Sequence, residues 1–155
     1  MRQTPVSADR PGLHRRPDGV DDATVAAVGK LSEALETVER ARGALYTFHQ
    51  LMGHADAQIG DAAAMLRAAG HPHLADGLAT EIVGRNVLHG RWTFQIVEEF
   101  DDDYWSVLRG HEKAVRDELV AGIRHVYEAE MKADRRTPGR PGHEPTPTDR
   151  ADTCF

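Results

Sequence analysis

Residues 22–52, DATVAAVGKLSEALETVERARGALYTFHQLM, decide the fold of this chain. Apolar residues recur along this stretch at spacings of three, four and seven, which places them on one face of an α-helix. That face holds Val28, Leu31, Leu35, Val38, Leu45 and Met52. Asp21 or Asp22 can cap its start by accepting hydrogen bonds from the first amide groups. The pattern predicts a long first helix over about residues 22–52, ending at Gly53.

Two shorter helices are predicted next. The first covers about residues 56–69 and is closed by Gly70 and Pro72, a usual stop signal. Pro72 also suits the first turn of a third helix that ends at Gly84. These two helices are expected to form a hairpin, followed by a loop over residues 85–90.

The segment NVLHGRWTFQIVEEFDDDYW, residues 86–105, has two possible readings. Trp92, Phe94 and Ile96 alternate like a strand, but Trp92, Ile96 and Phe100 are also spaced like a helix. A lone strand would leave its backbone groups unpaired, so we predict helix. A last long helix then runs to about Asp134.

In this helix the apolar side chains are expected to turn inward and the acids to face solvent. The inward set is Trp92, Ile96, Phe100 and Trp105, and the acids are Glu98, Glu99, Asp101, Asp102 and Asp103. A run of acids is typical of a solvated face, and the alternative is binding of divalent cations or basic peptides. The aromatic residues predict an interaction surface, because aromatic side chains supply much of the energy at buried contacts. This surface comprises Trp92, Phe94, Phe100, Tyr104 and Trp105.

Charge and composition separate a helical body from two polar ends. Residues 1–20 and 135–155 are rich in Pro, Gly and Arg and predict disordered tails, with one helical domain over residues 21–134. Of the net charge of −6, the tails carry +2 and +1 and the body carries −9. An acidic body makes nucleic-acid binding unlikely, because it repels phosphate backbones.

Several classes of protein lack support in the sequence. No window reaches the roughly 18 apolar residues of a membrane span, and the N-terminal residues lack the apolar centre of a secretory signal. Cys154 is the only cysteine, which excludes an internal disulfide and is consistent with a cytoplasmic protein. Phosphate-binding loops, dinucleotide fingerprints and nucleophile elbows are absent from the sequence.

A metal site is the main chemical alternative, since the chain has nine His and 25 acids. Di-iron bundles place Glu and His three positions apart, and only the reverse order occurs, at His125 and Glu128. His49 lies on the apolar stripe of the first helix, where it acts either as a metal ligand or as a hydrogen-bonded imidazole at the core edge. We predict no cofactor, with a divalent metal held by His49, His125 or Glu128 as the alternative.

Arg42 also interrupts the apolar stripe of the first helix. A guanidinium near a helical interface needs a carboxylate or a route to solvent, and Glu112 on the last helix is the predicted partner. The functional alternative is an acid–base pocket formed by Arg42, His49, His111 and Glu112.

The blocks GRNVLHGRWTFQIVEEFDDDYW, RHVYEAEMK and RRTPGRPGHE resemble a small prokaryotic family found in actinobacteria and haloarchaea. The resemblance covers roughly residues 30–144. It implies no activity, ligand or functional residue, but it raises the alternative that PGRPGHE is a docking motif rather than part of a disordered tail.

We therefore expect an all-α helical bundle, with two long helices, a short helical hairpin between them and disordered tails. Helices of about 30 residues extend about 45 Å, so the short hairpin cannot cover their apolar stripes, and a second chain would bury the remainder. The predicted function is that of a non-enzymatic interaction or accessory protein that forms a homodimer or binds another protein. The alternative is a metal- or small-molecule-binding bundle that uses His and acidic residues.

Overall fold

The computed structural model describes residues 14–144, and every regular element in this range is helical. The α-helices are α1 (Asp22–Ala68), α2 (Pro72–Glu81), α3 (Thr93–Phe100), α4 (Ser106–Val120) and α5 (Val126–Arg135). A π-helical turn, Asp101–Trp105, joins α3 to α4 without interruption. The predicted all-α fold is confirmed. No helix within this range has both the length and the apolar character needed to cross a bilayer.

Helix α1 begins as predicted but is longer than expected. Asp21 caps it, with its Oδ1 accepting from the Thr24 amide at 2.8 Å. The predicted end at Gly53 is wrong, because α1 is 47 residues long and continues to Ala68. Gly53 has no positive φ. Glycine lowers helix stability by about 1 kcal/mol relative to alanine, and it commonly ends a helix by adopting the left-handed conformation, which Gly53 does not adopt.

Such a helix end occurs at Gly70, where φ is +87°. The His71 amide donates to the Leu66 carbonyl at 2.9 Å, which satisfies a group that the end of α1 would otherwise leave unpaired. Pro72 then opens α2. The hairpin is therefore confirmed, and it forms between the C-terminal part of α1 and α2.

The helical prediction for residues 93–97 is correct, but the last long helix is interrupted. Ala121, Gly122 and His125 all have positive φ, between +54° and +74°, and they separate α4 from α5. The Arg116 guanidinium holds this break by donating to the Gly122 carbonyl at 2.8 Å. The break was missed because Ala121 and Gly122 lie within a continuous apolar pattern.

The described residues divide into two compact units. Unit 1 consists of residues 14–34 and 110–144, and unit 2 consists of residues 35–109. Unit 1 has a small closed core of buried valines at its centre, with partly buried side chains packed against it. The valines are Val25, Val28, Val120 and Val126, and the partly buried residues are Val20, Val115 and Ile123. Gly29 allows α1 and α5 to approach closely, since an added Cβ would lie 2.8 Å from the Tyr127 Cβ.

Parts of both predicted tails fall within unit 1. Arg16 donates to both carboxylate oxygens of Glu130 at 2.6 Å, and Val20 packs on the valine core. Residues 136–144 form two successive turns, closed by hydrogen bonds from Arg140 to Thr137 and from His143 to Arg140. Each turn has a Pro-Gly pair at its centre, as type II turns favour. Residues 1–13 and 145–155 of the predicted tails lie outside the described residues.

Candidate functional site

A groove of about 670 Å³ in unit 2 is suited to binding. It lies between α1, the segment that follows α2, and the start of α3. Its apolar wall is formed by Met52, Ile59, Ile82, Val87, Trp92 and Phe94. Volumes of this size are typical of ligand pockets, and mostly apolar grooves also accept protein segments.

Local hydrogen bonds fix the shape of the groove. The Gly84 amide donates to Asp56 Oδ1 at 2.8 Å, which ties the segment after α2 to α1. Gly84 has a φ of +72°, a conformation that glycine adopts without strain. The Trp92 amide donates to Gln95 Oε1 at 2.9 Å and fixes the start of α3. The Trp92 and Phe94 rings then lie 5.3 Å apart on the groove wall.

His49 lies beside this groove, where its ring contacts Thr93 and Phe94. Its Nδ1 is 2.8 Å from Thr93 Oγ1, and its ring stands edge-on to the ring of Phe94. This arrangement fits the interpretation of a hydrogen-bonded imidazole at the core edge.

Arg42 is the centre of a second cluster in unit 2, built around the π-helical turn. Its guanidinium donates to both oxygens of Asp101, at 2.7 and 2.9 Å. The same guanidinium lies 4.3 Å from the Trp105 ring centroid and 5.1 Å from that of Tyr46. The Trp105 indole in turn donates to Glu39 Oε1 at 2.8 Å. Arg42 is therefore both neutralised and stacked.

The electrostatics of the Arg42 cluster favour its ionised form. The hydrogen bond from Arg42 lowers the pKa of Asp101 below its ordinary value, and the Tyr46 hydroxyl, 3.0 Å away, adds to this effect. The same bond raises the already high pKa of Arg42. Both groups stay charged near neutral pH, so proton transfer between Arg42 and Asp101 is unfavourable.

The predicted partner of Arg42 is therefore wrong. Glu112 lies in unit 1, where it is buried and accepts from Arg116 Nε at 3.1 Å and from the Ser32 hydroxyl at 3.0 Å. The four residues of the suggested acid–base pocket are distributed over both units: Arg42 and His49 belong to unit 2, and His111 and Glu112 belong to unit 1. His111 is exposed.

The aromatic residues of the predicted interaction surface fall into separate environments. Trp92 is 56% exposed rather than turned inward, and Phe94 and Tyr104 are also exposed. Phe100 and Trp105 are half-buried, as expected of an inward face. The prediction that all five acids face solvent is wrong for Asp101, whose side chain is only 18% exposed beside Arg42.

The remaining metal candidates do not form a site with other ligands. His125 and Glu128 lie 4.0 Å apart on the surface of unit 1. Between residues 14 and 144, no group of three or more His, Cys, Asp or Glu side chains is arranged to hold a metal ion.

Sequence reasoning missed two features of unit 2. Asp101 belongs to a run of chemically similar acids, so only its pairing with Arg42 distinguishes it. Gly53, interpreted as a helix end, instead forms part of the groove wall. The signal available for Gly53 was the helical pattern that continues on both sides of it, because a glycine inside a helix often has a packing or functional reason.

Searches of protein-family models, curated proteins and solved structures found no match to this chain. The resemblance to a prokaryotic family therefore has no support from these comparisons, and the candidate site rests on its own geometry.

Proposed function

We propose that this chain is a non-enzymatic helical interaction protein that works as a homodimer, with the apolar surface of unit 2 forming the contact. The observation that carries this proposal is the imbalance in unit 2 between buried and exposed apolar side chains. Its only buried hydrophobic residues are Ala63, Ala75 and Val97. Thirteen of its large hydrophobic residues are exposed, against three in the described part of unit 1.

Exposed apolar surface on this scale favours association. Single exposed apolar side chains are normal, but contiguous patches are typical of contact sites. Trp92 and Phe94 belong to the residue class that anchors protein interfaces. The lack of a large buried core in unit 2 also means that a second chain would add much of the apolar burial that this unit lacks.

The experiment is a measurement of mass by light scattering and sedimentation over a range of concentrations. A homodimer gives twice the 17.1 kDa of one chain and dissociates on dilution. Unit 2 has six arginines against 11 acids, so two copies repel each other at low salt. Raising NaCl from about 50 to about 500 mM should therefore maintain or strengthen the dimer. A mass of one chain at all concentrations would contradict the proposal.

Small-molecule binding is the second candidate function, and the volume of the groove in unit 2 favours it, because most ligand pockets have about 300–1,000 Å³. Native mass spectrometry and elemental analysis of the purified protein test this candidate. A monomer that carries a stoichiometric small molecule or metal would rank it above the homodimer.

The same proposal assigns the chain to the cytoplasm, with no nucleic-acid partner. The single cysteine and the net charge of −6 support this assignment. Imaging of a tagged chain and electrophoretic mobility shifts with duplex DNA and RNA test its two parts.

A further inference from the structure

The groove of unit 2 is bordered by a short segment that exposes an unusual density of apolar side chains. Between residues 82 and 94, six large apolar side chains are 37–56% exposed: Ile82, Val83, Val87, Leu88, Trp92 and Phe94. Four of them line the groove directly, and α1 forms the opposite wall. This segment thus holds six of the thirteen exposed large hydrophobic residues of unit 2.

We propose that a second copy of the chain binds in this groove, with Trp92 as the anchor residue of the contact. The inference rests on the homodimer proposed above and assigns that dimer to one surface. In a two-fold dimer the same patch serves both partners, so one apolar groove per chain completes the interface.

The area of the patch fits this occupant. The six side chains together expose on the order of 500 Å² of apolar surface, given that large aromatic side chains each bury about 150–250 Å². This area is comparable to the largest apolar patches of monomers, which are often functional. Slightly more than half of a typical interface is apolar, so a patch of this size corresponds to an interface of about 800 Å² per partner. That is the area of a standard stable contact.

The polar groups of the groove favour an apolar protein surface over a polar ligand. Asp56 is engaged by the Gly84 amide at 2.8 Å, and Thr93 is hydrogen-bonded to His49 at 2.8 Å. The Arg85 guanidinium reaches back to the Glu81 carbonyl at 3.4 Å. Because three of its four polar side chains already have partners within the chain, with Asn86 as the fourth, the groove mainly offers apolar contact.

Gly53 gives the groove an open wall that its own fold does not require. A Cβ at this position would meet no atom within 4 Å, so unit 2 itself gives no packing reason for glycine. Glycine inside a helix nevertheless destabilises it by about 1 kcal/mol relative to alanine. Gly43 and Gly60 of the same helix are equally open to an added Cβ. Of these three, Gly53 lines the groove, where the absent side chain leaves the α1 backbone accessible to a partner chain.

Substitution of Gly53→Leu tests whether the partner chain binds in the groove. The leucine side chain would project from the groove wall, where its Cβ meets no atom within 4 Å, and leucine favours the helix. The matched control is Gly43→Leu, because Gly43 lies on α1 in the same unit, meets no atom within 4 Å of an added Cβ and is not part of the groove wall. We expect Gly53→Leu to raise the dissociation constant at least about 30-fold, the effect of losing a central contact. Gly43→Leu should leave it within about threefold, as for surface positions.

A second pair of variants tests Trp92 as the anchor. Trp92→Ala should raise the dissociation constant by a similar factor. Tyr104→Ala, at an aromatic residue of equal exposure that does not line the groove, should not. Circular dichroism and thermal unfolding confirm that each variant is folded, and sedimentation provides the dissociation constants.

The outcomes distinguish the proposal that the chain dimerises from the proposal that the groove is the contact surface. A wild-type chain that stays monomeric would overturn both. If the wild-type chain dimerises and Gly53→Leu leaves the same dissociation constant as Gly43→Leu, only the groove proposal is overturned. The homodimer contact then lies elsewhere. If the wild-type chain dimerises and, of the four variants, only Gly53→Leu and Trp92→Ala weaken the dimer, the groove is supported as the contact surface.

Discussion

Unit 1 encloses a cluster of four valines, whereas unit 2 buries only two alanines and one valine and exposes most of its large apolar residues. The ion pairs of the two units differ in burial in the same way. The Glu112–Arg116 pair of unit 1 is almost completely buried, with side chains 9% and 11% exposed, while the Arg42–Asp101 pair of unit 2 is 29% and 18% exposed. Helix α1 contributes to both units. One part of α1 thus packs in the buried core of unit 1, and another part belongs to the exposed apolar surface of unit 2.

The largest effect is expected at the buried ion pair of unit 1. Glu112→Ala leaves the guanidinium of Arg116 buried without its carboxylate and also removes the acceptor of the Ser32 hydroxyl. Breaking such a pair from one side costs about 3 kcal/mol of the free energy of unfolding, which urea denaturation measures. Glu118→Ala, at an exposed acid of the same helix, should change this free energy by less than about 0.5 kcal/mol. Equal effects would show that the buried Glu112–Arg116 pair does not stabilise unit 1.

The valine core gives the next largest effect. Val120 is fully buried, so Val120→Ala removes two methyl groups from a closed cluster and should lower the free energy of unfolding by roughly 2 kcal/mol. Val107 lies in unit 2 and is 54% exposed, so Val107→Ala should cost less than about 0.5 kcal/mol. A cost for Val107→Ala close to that of Val120→Ala would show that unit 2 has a core of its own.

Local signals in the sequence predicted the all-α fold, one helix start and one helix end. The cap at Asp21, the stop at Gly70 and Pro72, and the choice of helix for residues 93–97 all depend on neighbouring residues, and the structure confirms them. Gly53 was misjudged because glycine alone does not end a helix. The break at residues 121–125 was missed because Ala121, whose residue type does not favour a left-handed conformation, lies with Gly122 inside a continuous apolar pattern.

The candidate site was less predictable because it depends on contacts between distant residues. Arg42 was correctly identified as needing a carboxylate, but its partner is 59 positions away and belongs to a run of similar acids. The π-helical turn adds one residue to a helical turn, and nothing in the composition of Asp101–Trp105 reveals it. The groove forms from three segments whose spatial order the periodicity does not specify.

The same Gly→Ala substitution at two positions of α1 tests the difference in packing between the units. Gly29→Ala places a Cβ 2.8 Å from the Tyr127 Cβ in unit 1, so the cost of overpacking exceeds the gain in helix propensity and leaves a net loss of roughly 1 kcal/mol. Gly43→Ala in unit 2 meets nothing within 4 Å and should stabilise the chain by up to about 1 kcal/mol. Urea denaturation gives both values, and the same sign at both positions would contradict the difference in packing.

The smallest effect concerns the pH dependence of the Arg42 cluster in unit 2. Asp101→Asn removes the charge that pairs with Arg42, so the variant should be less stable than the wild type near neutral pH. Because Arg42 lowers the pKa of Asp101, the stabilisation is fully present above the ordinary aspartate value of about 3.8. It is lost as the pH falls through the lower value of the folded state. The difference between the two proteins should therefore be constant from about pH 7 to about pH 5 and shrink below about pH 4.

Urea denaturation at several pH values measures this difference, with tryptophan fluorescence as a local signal, since Trp105 stacks on Arg42. Asp102→Asn is the matched control, because Asp102 is the exposed neighbour of Asp101 in the same π-helical turn. If the Asp101→Asn difference stayed constant down to about pH 3, the ionised pair would not be what stabilises the cluster. The stacking of Arg42 between Tyr46 and Trp105 would then carry that role, and unit 2 would depend on ring contacts where unit 1 depends on charge.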